Sequence, residues 1–489
     1  MFVRRAIFRR NLLQGLMRCS NGREQSTVPD NNPIDNKIIQ EDELDNPKLV
    51  YRPQVKAELD SNLQQKLLEK KIHPRKHSGA NQIKVTSLPD KITDTFLKVI
   101  GDHPVKKICK DAQFLENYLK SRHIPAEQYE LRSRIKDIQM EVELKLNVDK
   151  SKLDDDEIER YKKVVDKQTE KLLKSRVFAW KALDYDEYRA RMYLFARSVQ
   201  EYAAIKAVFQ EIRRRDPEFK PRSFLDFGSG VGTGTWAVTK FWSDSIYEYY
   251  NVDSSGHMND LAELILKDGD ENKQIPLKNV YYRQFLGAPN TSYDLVLSAF
   301  SLIELPNRKT RLETLANLWA RTSGYLVLLE LGTNTGFKLI HEARKFITSL
   351  NSEGDTQGYI FAPCPQESTC PRYATDEGTP CNFQIRYFPL PFYNIANPRN
   401  DRYSYIVFKK NGSRDQDPAS NWPRLVRETL IKPRHVFCRM CTKDGNLQEV
   451  VFTAGKHGKP VYQCAKRSRW GDQLPLNLQT IEKIKKEDE

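Results

Sequence analysis

One segment constrains the fold more than any other: Phe224-Leu225-Asp226-Phe227 runs directly into Gly228-Ser229-Gly230-Val231-Gly232-Thr233-Gly234. An apolar strand that ends in an acid and breaks into glycines lets the backbone approach a ligand and aims a helix start at it. Around this point strand and helix alternate. Apolar runs at Ser223–Phe227, Tyr249–Asp253, Tyr293–Ser298, Tyr325–Glu330 and Tyr403–Lys409 predict strands, and helical spacing through Trp236 and Val238, over His257–Leu266 and over Phe337–Leu350 predicts the helices between them. Such alternation implies an α/β fold, a doubly wound and mostly parallel sheet whose ligand crevice lies beyond the glycine turn. A dinucleotide site wants G-x-G-x-x-G, and here the third place falls on Thr233 or Thr235 in either register, which disfavours a nicotinamide cofactor.

Asp253 closes the next strand, where a carboxylate can accept hydrogen bonds from a ribose diol. With Asp226 two residues ahead of the glycines, the pattern resembles the class I S-adenosylmethionine-dependent methyltransferases. That resemblance implies S-adenosylmethionine on Asp226, Gly228, Gly230, Gly232 and Asp253. Methyl transfer also needs groups that hold the acceptor in line, after the fourth strand of the fold. That place reads Ser298-Ala299-Phe300-Ser301-Leu302-Ile303-Glu304 and lacks the Asn/Asp-Pro-Pro-aromatic signature of amino-group methyltransferases. No catalytic residue is assigned, and Glu304 reads as a helix-start acid. Pro363-Cys364 and Thr369-Cys370 superficially resemble the cysteine motifs of RNA cytosine-C5 methyltransferases, but both sit on one loop beyond the fifth strand, which argues against that role.

The flanks differ in character. Residues 1–23 carry Arg4, Arg5, Arg9, Arg10, Arg18 and Arg23, no acid, and apolar residues between, as a mitochondrial transit peptide does; a basic tail is the plainer alternative. The address implied is the mitochondrial matrix. Residues 24–90 are polar and mixed in charge, and are expected to be a flexible arm. Residues 91–215 form a helical region whose last helix shows Phe195, Val199, Tyr202, Ile205, Phe209 and Ile212 at helical spacing. The methyltransferase-like domain is placed at 216–411, a linker at 412–430, a basic β unit at 431–475 and a charged tail at 476–489. Within the β unit, His435–Cys441, Leu447–Thr453 and Pro460–Cys464 predict a three-strand meander. No stretch offers the roughly 18 uninterrupted apolar residues of a membrane helix.

Cys364, Cys370 and Cys381 share a proline-rich loop at 362–382, flanked by Pro363, Pro365, Pro371 and Pro380, without a periodicity that would bury them as core. Three thiols on an irregular loop point to a metal, and the Cys438-x-x-Cys441 pair can supply a fourth from the next unit. Spacing does not separate iron-sulfur from zinc, and reduced, unligated thiols are the alternative. The β unit is strongly basic: residues 431–470 hold nine Lys and Arg against Asp444 and Glu449, half of the chain's net +14. Arg434, Lys466, Arg467 and Arg469 are expected to meet RNA phosphates and Trp470 to stack on a base, against the alternative of a solvated basic face.

Several blocks together resemble one family, the mitochondrial and bacterial methyltransferase-like proteins of small-subunit ribosome assembly. They are Tyr202 to Arg214, Leu225 to Thr233, Gly332-Thr333-Asn334-Thr335-Gly336-Phe337, Ala362-Pro363-Cys364-Pro365, and Cys438-Arg439-Met440-Cys441 through Ser468-Arg469-Trp470-Gly471-Asp472. The resemblance implies a [4Fe-4S] cluster on Cys364, Cys370, Cys381 and Cys438, with Cys441 as the rival for the fourth place. It also implies binding to ribosomal RNA and proteins of the mitochondrial small subunit, not to DNA, by a methyltransferase-like chain that has lost or never needed methyl transfer. An active ribosomal RNA methyltransferase is the alternative, and an iron-sulfur regulatory protein outside the ribosome a third.

Overall fold

The structure is a computed structural model that describes residues 54–480, apart from 70, 82, 83, 177–180, 288, 289, 354–357 and 375–377. The expected transit peptide and the arm up to residue 53 lie outside the described residues. The elements in order are β1 (Val55–Leu59), α1 (Ser61–Leu68), α2 (Asp90–Val99), α3 (Val105–Ser121), α4 (Gln128–Leu146), α5 (Asp155–Arg176) and α6 (Glu187–Arg215). There follow β2 (Ser223–Phe227), α7 (Thr233–Trp242), β3 (Glu248–Val252), α8 (Gly256–Leu266), β4 (Val280–Arg283), β5 (Tyr293–Ala299), α9 (Arg308–Ala320), β6 (Thr322–Leu331) and α10 (Asn334–Glu353). The chain continues through β7 (Gly358–Ala362), β8 (Phe383–Tyr387), β9 (Arg399–Lys410), β10 (Arg424–Leu425), β11 (Leu430–Lys432), β12 (His435–Cys441), β13 (Leu447–Phe452), α11 (Ala454–Arg467) and β14 (Leu476–Thr480).

The central sheet runs β4-β3-β2-β5-β6-β9-β7, with β8 on the free edge of β9. The strands from β4 to β6 are parallel, and β9 lies antiparallel to β6, β7 and β8. This order, with its single reversed strand, is that of the class I methyltransferase fold. It switches direction at β2, so the crevice for a ligand opens between the ends of β2 and β5. Leu295, Val296 and Leu297 of β5 are wholly buried, as a central strand covered on both faces requires. Strands β4, β7 and β8 and helix α9 were not anticipated.

Helix α6 packs on α3, α7, α8 and β8. Asp186 caps its start by accepting from Arg189 N at 2.8 Å, and Arg213, Arg214 and Arg215 suit its C-terminal dipole. The helix buries polar residues as well as apolar ones, namely Arg197, Ser198, Gln200, Glu201 and Glu211. Helices α4 and α5 pair with each other around Ile138, Val142 and Val165. No helix of the described residues is long and apolar enough to cross a membrane.

The C-terminal unit departs from expectation. Pro460–Cys464 is helical: the segment lies in α11, kinked at Gly458, and only β12 and β13 of the meander are strands. Val55–Leu59 is not part of a loose arm, because β1 pairs antiparallel with β14 and Val55 and Leu59 enter a core with Val436, Cys438, Met440, Phe452 and Cys464. Thr86 is stitched to the central sheet edge, donating to Arg386 O and accepting from Phe388 N, both at 2.9 Å. Leu476–Thr480, expected in a tail, is the second strand of that pair.

Candidate functional site

The glycine loop is tied to the end of β3: Gly228 N and Ser229 N donate to Val252 O at 2.7 and 3.0 Å. Asp253 orders the loop further, accepting from Gly230 N and from Ser255 N, each at 2.9 Å. Gly230 has φ +51°, and a Cβ there would meet only the Tyr193 ring, at 3.9 Å, so its open side faces that ring. Gly234, which the sequence reading did not single out, is required for another reason. A Cβ there would lie 2.1 Å from Asp226 Oδ2, so only glycine lets α7 start above this carboxyl. Burial, with Asp253 and Glu201 nearby, pushes Asp226 up to about 8.

A stripe of α6 closes the loop from the other side. Tyr193, Arg197 and Glu201 recur every four residues and therefore share one face. Tyr193 Oη donates to Glu201 Oε1 at 2.5 Å, Thr233 Oγ1 donates to Glu201 Oε2 at 3.5 Å, and Arg197 Nε stands 3.5 Å from Glu201 Oε1. Arg197 gives its closer contact, 3.2 Å, to Asp401 and lies over the Phe300 ring. Burial raises Glu201 to about 7 despite these partners. Ser229 Oγ, in the loop itself, is buried and has no hydrogen-bond partner. The signal for these residues was a polar stripe on an otherwise apolar helix, which a search for apolar periodicity passes over.

At the end of β5, Ser298 shares a hydrogen bond of 2.7 Å with Ser301, and Glu330 accepts from Leu302 N at 2.9 Å and Ile303 N at 3.3 Å. Glu304 is no free base, because it forms an ion pair with Arg122, the residue that ends α3. Arg122 is 3% exposed, and its Nε and Nη2 have no partner. A guanidinium from the helical region is thus paired with the acid that follows β5.

The cysteines divide between two environments. Cys441 packs with Val426, Leu447 and Cys381, and its thiol is pushed up by burial and by the neighbouring Cys381, Cys370 and Cys364. Arg344, Arg372 and Arg427 lie within electrostatic reach of this group. Cys438 sits three places earlier on β12, on the opposite face, in the core of the C-terminal unit. It is near Thr429 and Ser468, and burial raises it to about 12. Cys441, not Cys438, thus joins the loop thiols. Four thiols backed by guanidiniums have the chemistry of a thiolate-ligated centre, although among the described residues no three His, Cys, Asp or Glu side chains converge to the distances of a bound metal ion.

Of the expected RNA contacts, Arg434 is exposed at the β11–β12 turn, with φ +62°, and Lys466, Arg467 and Arg469 are exposed at the end of α11. Arg467 also donates to His73 Nε2 at 2.6 Å. Trp470 is not an open stacking platform: it is partly buried, with the Arg402 and Arg427 guanidiniums each 5.5 Å from its ring. The unit is locked to the central domain by Arg424, 1% exposed, which reaches Glu211 Oε1 at 2.5 Å, Pro363 O at 3.0 Å and Gly471 O at 2.7 Å. Glu211 also pairs with Arg215 at 3.2 Å and accepts from Tyr405 Oη at 2.8 Å. Beside it, Arg75 and Asp472 form an ion pair at 2.5 Å.

Residues 187–475 match the family described as mitochondrial small ribosomal subunit Rsm22. The chain is 34% identical over 413 residues to the human mitochondrial ribosome assembly protein METTL17, covering 84% of this chain and 87% of that one. It is 20% identical over 426 residues to the mitochondrial ribosome assembly protein RSM22 of Saccharomyces cerevisiae, covering 59% and 67%. Among solved structures, magnesium protoporphyrin IX methyltransferase from Synechocystis with bound S-adenosylmethionine matches at 12% identity and a TM-score of 0.29, over 50% of this chain and 92% of that one. The chain belongs to the Rsm22 family of mitochondrial small ribosomal subunit proteins.

Proposed function

We propose that this chain is an assembly factor of the mitochondrial small ribosomal subunit, working in the matrix, that binds the subunit's RNA during maturation without transferring a methyl group. Its glycine loop holds S-adenosylmethionine, and Cys364, Cys370, Cys381 and Cys441 hold a [4Fe-4S] cluster. Family membership and the names of the relatives support the ribosomal role. The observation that carries the absence of transfer is the ion pair of the buried Arg122 with Glu304, in the stretch where an acceptor would be held. S-adenosylmethionine, when bound, supplies an electrophilic methyl group; Asp226 and Asp253 shape its pocket, and Arg122 bars the acceptor. The cluster links the proline-rich loop to the basic unit, whose exposed Arg434, Lys466, Arg467 and Arg469 meet phosphates.

Small-subunit RNA from cells depleted of the protein, then rescued with Gly230→Arg or Glu304→Ala, tests the central claim. Rescue by either variant with an unchanged methylation pattern is expected. A methyl mark that disappears on depletion and stays absent with both variants would establish the alternative, an active methyltransferase, which the intact loop of Asp226, Gly230 and Asp253 favours. Protein purified without oxygen should contain iron and acid-labile sulfide, lose both on Cys441→Ser, and keep both on Cys438→Ser. Stoichiometric zinc without sulfide would replace the cluster by a zinc site.

A further inference from the structure

The cofactor loop is bordered by more acid than its own bases can balance. Asp226 is the penultimate residue of β2, Asp253 follows β3, and Glu201 enters from α6, outside the segment that defines the fold's ligand crevice. Asp253 is occupied by two backbone N–H groups. Asp226 lies beneath the start of α7. Glu201 has two hydroxyl donors, Tyr193 and Thr233, while the nearest cation, Arg197, is held closer to Asp401. A buried carboxylate that shares its one close guanidinium with another acid is costly, and a ligand that brings a further cation relieves that cost. The open side of Gly230 faces Tyr193, whose hydroxyl is bonded to Glu201, so a group entering the loop there meets this carboxylate. Independently, Ser229 Oγ in the same loop is buried without a partner, a polar atom left for a ligand to satisfy.

We infer that Glu201, positioned by Tyr193, binds the α-ammonium group of the ligand's amino-acid end, so that the site selects nucleosides carrying a cationic amino-acid tail. The inference rests on the reading that S-adenosylmethionine binds at this loop. It assigns to α6 a binding residue that the glycine motif does not contain. It also predicts that affinity comes from the tail ammonium and is not confined to the sulfonium. S-adenosylhomocysteine, which keeps the ammonium but has a neutral sulfur, therefore binds through the same contact.

Titration calorimetry on the full chain tests this with three probes: S-adenosylmethionine, S-adenosylhomocysteine and 5′-methylthioadenosine, which lacks the tail. Glu201→Gln is expected to weaken the first two at least tenfold, the loss of one charge-assisted hydrogen bond, while 5′-methylthioadenosine binds within about twofold of the wild type. Tyr193→Phe should give a smaller loss with the same selectivity. Equal losses for all three probes would make Glu201 merely structural, and unchanged binding of all three would also overturn the inference. Wild-type protein gives a second route that needs no variant: S-adenosylhomocysteine should bind at least tenfold more tightly than its deaminated analogue, and equal binding refutes the ammonium contact. If the wild type binds none of these nucleosides, the cofactor reading itself fails.

Discussion

Glu201 and Glu211 stand about three turns apart on one helix, both buried, and their surroundings drive them in opposite directions. Around Glu211 the guanidiniums of Arg424, Arg215 and Arg214 outweigh the penalty of burial and hold the carboxyl down at about 2. Around Glu201 burial prevails, and the group rises to about 7. The first arrangement is complete and fastens the C-terminal unit to the central domain. The second is short of positive charge and leaves room for a ligand to supply it. Burial alone therefore does not distinguish a latch from a binding site; the balance of partners does.

The strongest way to break this contrast is to remove the acid from each side. Glu211→Ala should destabilise the protein by about 3–5 kcal/mol, since it leaves Arg424 buried and unpaired. Glu201→Gln, measured near pH 5 where Glu201 is still protonated, should change the stability of ligand-free protein by less than about 1 kcal/mol. Denaturant midpoints for the two variants check this, and similar losses would erase the distinction.

Acid titration sharpens it. Glu211 sits below its ordinary value, so its contribution is complete above about pH 4.5 and disappears as the pH falls toward 2. Glu201 sits above its ordinary value, so its cost to stability grows as the pH rises from about 4.5 to 7. Glu211→Gln should flatten the acid limb of a stability–pH curve, and Glu201→Gln should flatten the limb between pH 5 and 7.

A third measurement concerns protons released by the ligand. Asp226 is mostly and Glu201 about half protonated at neutral pH, and a cation placed beside them, with Asp253 and Arg197 also facing the loop, should drive some of those protons off. Calorimetry of S-adenosylmethionine binding in buffers of different ionisation enthalpy should detect release near pH 7 that fades above pH 8. Uptake instead of release would contradict the charge deficit.

The smallest expected effect belongs to charges that are neither latched nor waiting. Arg434 and Lys466 are exposed, so replacing either by Ala should lower the slope of log affinity for small-subunit RNA against log salt by roughly one unit if it contacts a phosphate. Trp470→Ala should act mainly on stability, because its ring is already packed with Arg402 and Arg427.

The parts of this molecule that were legible in sequence are those whose geometry is local. A strand running into glycines specifies its own turn, and β2, α7, β3 and α8 follow the apolar pattern closely. The strand pairing of the C-terminal unit was not legible, because β1 and β14 are short, half-polar and separated by the rest of the chain. Pro460–Cys464 reads as a strand beside glycines, yet Val461, Cys464 and Ala465 face one core at helical spacing. The choice between Cys438 and Cys441 depends on which face of β12 meets the central domain, and a spacing of two intervening residues on a strand puts the pair on opposite faces. Arg424 escaped because its partners come from remote segments, and Glu201 because apolar periodicity passes over a polar stripe on its helix.

The pairing of β1 with β14 also sets an order in time. Residue 55 must wait for residue 480 before either strand can close, so during synthesis β1 stays unpaired until β14 has been made. The core containing Val55, Leu59, Val436, Phe452 and Leu476 is completed at that moment, and the basic end of α11 rests on it through Val461, Cys464 and Ala465. The surface carrying Lys466 and Arg467 therefore rests on a core that closes only when two segments more than 400 residues apart have met.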